Sequence, residues 1–537
     1  MKRLLLISFA GIALAQQNPP AIPNLSQRPT GSSLGTIRAG AADNNIWFGW
    51  KVGMTAADFK GVSFGEIVPK ADVLGVTGIE VTNTQKTSPE VPKPFDYRLQ
   101  KGERNAVLRR LKEYNQAIHA YRIDNLGDAA TARQYFEFAK SVNIPLIVTT
   151  GDPAALDKLA DEFGINVALL KASPASLQGR GKHIGLAAES SGPLPASPDR
   201  LMYVAADAKG GSSDFYLAAY KAGVKPLTIV IHGTTEGING FERAMWPAMA
   251  ARVRAMLDTP AGKIRGPEKL DADMKRQIEA GSPKQAIVPP KKKHKLLVTD
   301  IQMYSGHSTI PHGNYMLELM AKNTGVFDAT FSNDLELLKY PKIKEFDAIW
   351  LNNVCGMVYN DPEVREGILR FVREGGGIGG HHAVTFANNN WPEFAEMMGG
   401  WAGAHHTEKQ VIKIDDPSSP LMKMFGKEPF EHTDEFYQFP TYSPYSREKQ
   451  HVLMSIDVER SDRATANRFC PECTRPDQDY GLAWIKTYGK GRTYFTPLGH
   501  TTPFYTDPRW TNHVLAAIQY ILGDLDADAN PSAKLKK

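Results

Sequence analysis

A chain of 537 residues is too long for one ordinary core and predicts two or three domains. With 42% hydrophobic and 23% charged residues, 46 Gly and 36 Pro, the composition is that of a globular protein and excludes a disordered, collagenous or polytopic membrane protein. The net charge of +5 is spread over the two ends and a lysine run at 291–293, and no basic face interleaved with aromatics points to nucleic acid.

Lys2 and Arg3 precede the apolar residues 4–14, which end in Ala13-Leu14-Ala15. This charged, apolar and small-residue order predicts a secretory signal peptide over residues 1–15, too short to span a bilayer. The mature protein is therefore expected to be exported, periplasmic or extracellular, with no membrane span. Of 3 cysteines, Cys470 and Cys473 flank Pro471-Glu472 in a polar stretch. Without a second such pair, a short disulfide is the plainer expectation than a four-cysteine zinc site.

Residues 16–45 read as a Pro/Gly/Asn-rich linker. From 46 to 258, short apolar runs alternate with helical patterns: strands at Gly78–Thr82, 144–149, 166–171, 184–188, 202–205 and 227–232, and helices at Phe64–Leu74, 104–115, Ala129–Ser141 and 154–163. Alternation of this kind predicts parallel strands with crossovers, and the number of units predicts a (β/α) barrel. The helix beginning Phe64-Gly65-Glu66, the strand Gly78-Ile79-Glu80 and the segment Tyr135-Phe136-Glu137-Phe138 resemble the xylose-isomerase-like sugar phosphate isomerase/epimerase family. That resemblance implies a TIM barrel with a divalent metal held at the C-terminal strand ends. Glu80 matches the family's first acid, but expected histidines are missing after two strands, and the last strand ends in His232 where a glutamate is usual. The barrel is thus expected to be degenerate and metal-free, binding sugar or bracing the second half.

Residues 259–294 read as a second linker, crossed by a charged amphipathic helix. Beyond it a buried-strand run at 295–300, a helix at 312–323, strands at Phe327–Phe331 and 346–351, a helix at 361–374 and the glycine-rich Gly375 to Gly380 predict a doubly wound α/β domain at 295–525. A polar tail follows at 526–537. Ten of the 14 histidines lie at or beyond His307, several at strand-to-helix turns where ligands of such sheets bind.

Ser305-Gly306-His307-Ser308, the glycine strand through His381-His382, Trp401 to His406, Glu431 to Tyr437 and Leu498-Gly499-His500 resemble the ThuA (trehalose utilisation) family, of class I glutamine amidotransferase-like, flavodoxin-like fold. Glutamine amidotransfer needs a cysteine at the elbow after the glycine strand, and here the elbow is Gly380-His381-His382-Ala383, so that activity is excluded. The histidines are expected to converge on one pocket. His382, His307, Asp434, Glu435 and His500 are the candidate catalytic residues, and His381, His406, His432, Trp401 and Tyr437 the candidate substrate-binding ones. Of the two adjacent histidines only one is expected to face the substrate. Two chemistries fit: a zinc-like divalent metal on His307, His382 and His432, or metal-free acid–base work around a sugar. Together the resemblances imply an exported carbohydrate-processing protein acting on a disaccharide, glycoside or keto-sugar as an isomerase/epimerase or a hydrolase/lyase. The other class of reading is a non-catalytic sugar-binding or scaffolding protein.

Overall fold

The computed structural model describes residues 50–534, apart from positions 75, 77, 115, 304–306, 389–390, 404, 406, 442 and 462–473. The expected signal peptide, the linker at 16–45 and the Cys470–Cys473 pair lie outside the described residues.

The first half closes into a barrel of eight parallel strands: β1 (Val52–Thr55), β2 (Gly78–Thr82), β3 (Ala117–Ile123), β4 (Leu146–Thr149), β5 (Asn166–Leu169), β6 (Ile184–Glu189), β7 (Leu201–Ala205) and β8 (Thr228–His232), with β8 paired back onto β1. The crossover helices have local causes. Asp128 caps Ala129–Ser141 by accepting the Thr131 N–H at 2.8 Å, and Ala132, Tyr135, Phe136 and Ala139 then bury one face at helical spacing. Asp152 and Pro153 start the next helix, and Gly164 ends it in the left-handed conformation at φ 65°. Sequence reading overlooked β1 and β3. β1 has only four residues, and β3 carries His119 and Arg122 among its apolar positions.

The second half is a nine-stranded mixed sheet made of β9 (His294–Thr299), β10 (Phe327–Phe331), β11 (Ala348–Asn352), β12 (Gly377–His381), β13 (Thr407–Ile414), β14 (Phe430–Glu435), β15 (His451–Ile456), β16 (Gly481–Tyr488) and β17 (Gly491–Thr496). Their order is β10-β9-β11-β12-β17-β16-β15-β13-β14. The first five strands are parallel and doubly wound, while β16 onward runs antiparallel. β11 is wholly buried, and β9 is buried apart from Lys295, which is why both appear as unbroken apolar runs. The glycines of β12 allow close approach. A Cβ on Gly377 would sit 2.2 Å from the carbonyl oxygen of Ile521, at the end of the helix Pro508–Ile521, and one on Gly379 would sit 2.9 Å from the Trp350 ring.

The segment 259–294 is folded against the second domain. Its helix Ala272–Gly281 ends where Gly281 accepts from the Thr511 hydroxyl, and Gln519 takes the Ile287 N–H (2.8 Å) while donating to the Val288 carbonyl (2.8 Å). The polar tail is likewise pinned as far as Ala533, whose N–H donates to the Arg447 carbonyl at 3.0 Å. The two domains also pack directly. Arg365, on the helix Pro362–Glu374, is buried with its guanidinium 4.1 Å from the centroid of Trp246, on the barrel's last helix Thr235–Leu257, and 5.2 Å from that of Trp391. Arg254 pairs with Asp361 at 2.8 Å beside it.

Candidate active site

In a doubly wound sheet the ligand crevice opens where strand order reverses, here between β9 and β11. His307 lies on the loop after β9. β12 delivers His382 at the first position of a short helical turn, His382–Phe386, with φ 61°, a left-handed conformation that a β-carbon makes costly. That elbow turns His382 away from its neighbour. His381, still in the strand, points into the core, accepting from Trp350 Nε1 at 3.1 Å and stacking on Phe504. Only one of the two adjacent histidines therefore reaches the crevice.

His307, His382, Glu435 and His500 present nitrogen and carboxylate atoms that all lie within 4.8 Å of one another. Nε2 of His382 is 3.1 Å from Nδ1 of His500 and 3.3 Å from the Tyr437 hydroxyl. Glu435 Oε2 lies 3.2 Å from Nε2 of His405, 3.4 Å from Nδ1 of His500 and 3.6 Å from Nε2 of His382, yet makes no hydrogen bond. Burial, helped by the Asp434 charge, pushes the Glu435 carboxyl up to about 7. Burial holds the His307 imidazole neutral, down to about 4, and His382 well below its ordinary value.

The remaining expected residues divide by strand alternation. On β14, His432 and Asp434 face inward, whereas Glu435 sits on the opposite side, toward the crevice. His432 packs on Trp510 (4.9 Å) outside the group, so its place in the expected His307/His382/His432 ligand set is corrected. Asp434 is fully buried and spends its oxygens on the backbone N–H groups of Gly499 (2.9 Å), His500 (2.9 Å) and Glu435 (2.8 Å). It holds the loop that carries His500 and does not line the pocket as a base. Trp401 is a buried residue whose backbone N–H donates to the Ser443 hydroxyl. Tyr437 lies at the site, its ring 5.2 Å from His382 and 4.7 Å from His405. His406 is outside the described residues. Cys355 is near but inert, because burial pushes its thiol to about 12. Sequence reading missed Gln302, whose amide touches His307. Its only signal was its place just past the end of β9.

Two imidazoles beside a carboxylate oxygen that has no hydrogen bond are a set that fits a borderline divalent cation such as zinc. His382, Glu435 and His500 are the residues that would hold one, and it would supply Lewis acidity toward a substrate oxygen.

The barrel's C-terminal mouth holds a cavity of ≈ 360 Å³ lined by Asp58, Glu80, Arg122, Tyr203 and His232 among others. Glu80 is buried, accepts from the Tyr203 hydroxyl at 2.6 Å and has its carboxyl pushed up by desolvation. His232 is paired with Asp58 through Nδ1 at 2.9 Å. Asp207 caps its own turn by accepting the Lys209 and Gly211 N–H groups. Among the described residues, no three of these groups converge as ligands.

The fold and this site define a two-domain α/β protein with a histidine–carboxylate centre in its second domain. Within that second domain, residues 295–521 match the ThuA family model, described as trehalose utilisation. Among solved structures, the chain is similar to a thua-like protein from Bacteroides uniformis ATCC 8492 (18% identity over 46% of this chain and 98% of that one, TM-score 0.36). It is similar also to one from Parabacteroides merdae ATCC 43184 (18%, 44% and 93%, TM-score 0.34). A third is D-allulose 3-epimerase from Methylomonas sp. in complex with D-allulose (15%, 34% and 83%, TM-score 0.27). No curated protein matches the chain significantly. Among the described residues no helix is long and apolar enough to cross a membrane.

Proposed function

We propose that this is an exported carbohydrate-processing enzyme whose chemistry resides in the ThuA domain. The observation that carries the reading is the convergence of His307, His382, Glu435 and His500, carried to one place by the loops and strand ends after β9, β12, β14 and β17. Glu435 is the base best matched to neutral pH, since a carboxyl near 7 is both available as carboxylate and basic enough to take a proton. His382 Nε2, 3.6 Å away, holds a substrate hydroxyl and passes the proton on. The family description and the basic–apolar start of the chain support a sugar substrate and export. Incubation with a panel of glycosides and 3-keto-glycosides, with and without chelator, tests the reading. Turnover that is lost in Glu435→Gln supports it. Tight binding of a sugar with no turnover of any compound replaces it with a sugar-binding role. N-terminal sequencing of the secreted protein, expected to start at Gln16, tests export.

A further inference from the structure

We infer that Gln302 locks His307 as a hydrogen-bond donor into the site, so that His307 polarises a substrate carbonyl oxygen and does not ligate a metal. This rests on the proposed function and narrows its substrate to a carbonyl-bearing sugar.

The argument starts from an amide whose orientation is fixed. Gln302 is 3% exposed, and its Nε2 lies 2.6 Å from the Asn353 carbonyl oxygen and 2.7 Å from His307 Nδ1. Its Oε1 accepts the His307 backbone N–H at 3.2 Å. Turning the amide over would set oxygen against the Asn353 carbonyl and NH₂ against an N–H, so two main-chain groups dictate which end is which. The nitrogen facing His307 Nδ1 is therefore a donor, and Nδ1 must accept. A neutral imidazole carries one proton, which is then on Nε2. The lone pair that could bind a cation is already used.

His382 is fixed in the opposite sense. Its Nδ1 lies 3.1 Å from the Pro497 carbonyl oxygen, which can only accept. Nδ1 carries the proton and Nε2 keeps the lone pair. Two rings 4.5 Å apart and nearly perpendicular thus hold complementary tautomers, one donor and one acceptor. A neutral imidazole N–H in a dry site is a good electrophile: it stabilises negative charge developing on a carbonyl oxygen without itself being charged.

Such a pair suits proton abstraction from the carbon next to a carbonyl. The C–H bond breaks and its electron pair becomes the C=C bond of an enediolate. The carbonyl π pair moves onto the oxygen facing His307 Nε2–H, while the proton goes to Glu435. Return of that proton to the former carbonyl carbon, as the proton of the neighbouring hydroxyl passes to the oxygen facing His307, moves the carbonyl by one carbon, with no oxidant or reductant consumed.

The test is long-range ¹H–¹⁵N NMR on the full chain labelled at histidine nitrogen, with His307→Asn identifying the His307 signals. The expected result at neutral pH is an unprotonated Nδ1 and a protonated Nε2 for His307. A protonated Nδ1, or both nitrogens protonated, overturns the assignment. Gln302→Leu removes the lock and is expected to give a mixture of tautomers, with kcat reduced about 10- to 100-fold at similar KM. A single unchanged tautomer in that variant overturns the role of Gln302. A 3-keto-glucoside is expected to shift the His307 Nε2–H resonance, and the parent glucoside is not. Equal responses to both overturn carbonyl recognition. Because the tautomer is read without turnover, an inactive protein with the expected tautomer refutes the proposed enzyme activity and leaves the donor assignment standing.

Discussion

Replacing Glu435 with Gln tests the electrostatics of the site directly. In the unfolded chain a glutamate ionises near 4.5, and in the folded protein burial and Asp434 delay this to about 7. Between those values the folded state holds a proton that the unfolded state has lost, so stability falls as pH rises. Above pH 7 the loss is complete, and at 1.36 kcal/mol per factor of ten it amounts to about 3 kcal/mol. Glu435→Gln is neutral at every pH and escapes the penalty. In chelator-treated protein its Tm is expected to equal that of the wild type at pH 4.5. By pH 8.5 it should exceed it by roughly 6–12 °C, taking 2–4 °C per kcal/mol for a domain of this size. The variant is at the same time expected to be inactive. A melting-temperature difference that does not change with pH would refute the claim that desolvation opposes the ionisation of Glu435.

Three further outcomes are expected. His382→Ala should lower kcat/KM on the active sugar by about 10²–10⁴-fold and abolish any zinc binding measured by calorimetry. Glu80→Gln in the barrel should leave that activity nearly unchanged, since Gln still accepts from Tyr203; a 100-fold loss in a folded protein would place chemistry in the barrel. His451, which bridges the Asn530 carbonyl (3.0 Å) and Asp416 (2.9 Å), is a strut remote from the site. Its replacement by alanine should cost about 1–3 kcal/mol in denaturant titrations yet spare kcat.

The architecture was largely readable because parallel strands buried on both faces leave unbroken apolar runs, as β9 and β11 do, and capped crossover helices carry Asp or Pro at their starts. The elbow was readable too, from the glycines before His381-His382. What escaped was which residues of β14 face the crevice. His432, Asp434 and Glu435 all look eligible in the sequence, and only the strand's register sends Glu435 to the pocket and Asp434 to the backbone of Gly499 and His500. Gln302 escaped because an uncharged amide has no motif; its meaning lies entirely in which atoms it meets. The stretch at 259–294 looked like a spacer from its Pro, Gly and Lys content. Its backbone groups are nevertheless taken up by Gln519 and Asp524, partners more than two hundred residues away.

The cation clasped between two indoles at the domain boundary makes the covalent connection between the halves nearly redundant. Arg365 donates to the Tyr359 carbonyl (2.6 Å) and Asn360 (3.3 Å) on its own side while its faces lie against Trp246 and Trp391. A protease cut in the exposed lysine run would thus yield two fragments that still sediment as one particle. Conversely, the ThuA half made alone would carry a guanidinium with one face stripped of its indole, and the barrel made alone would carry a bare tryptophan.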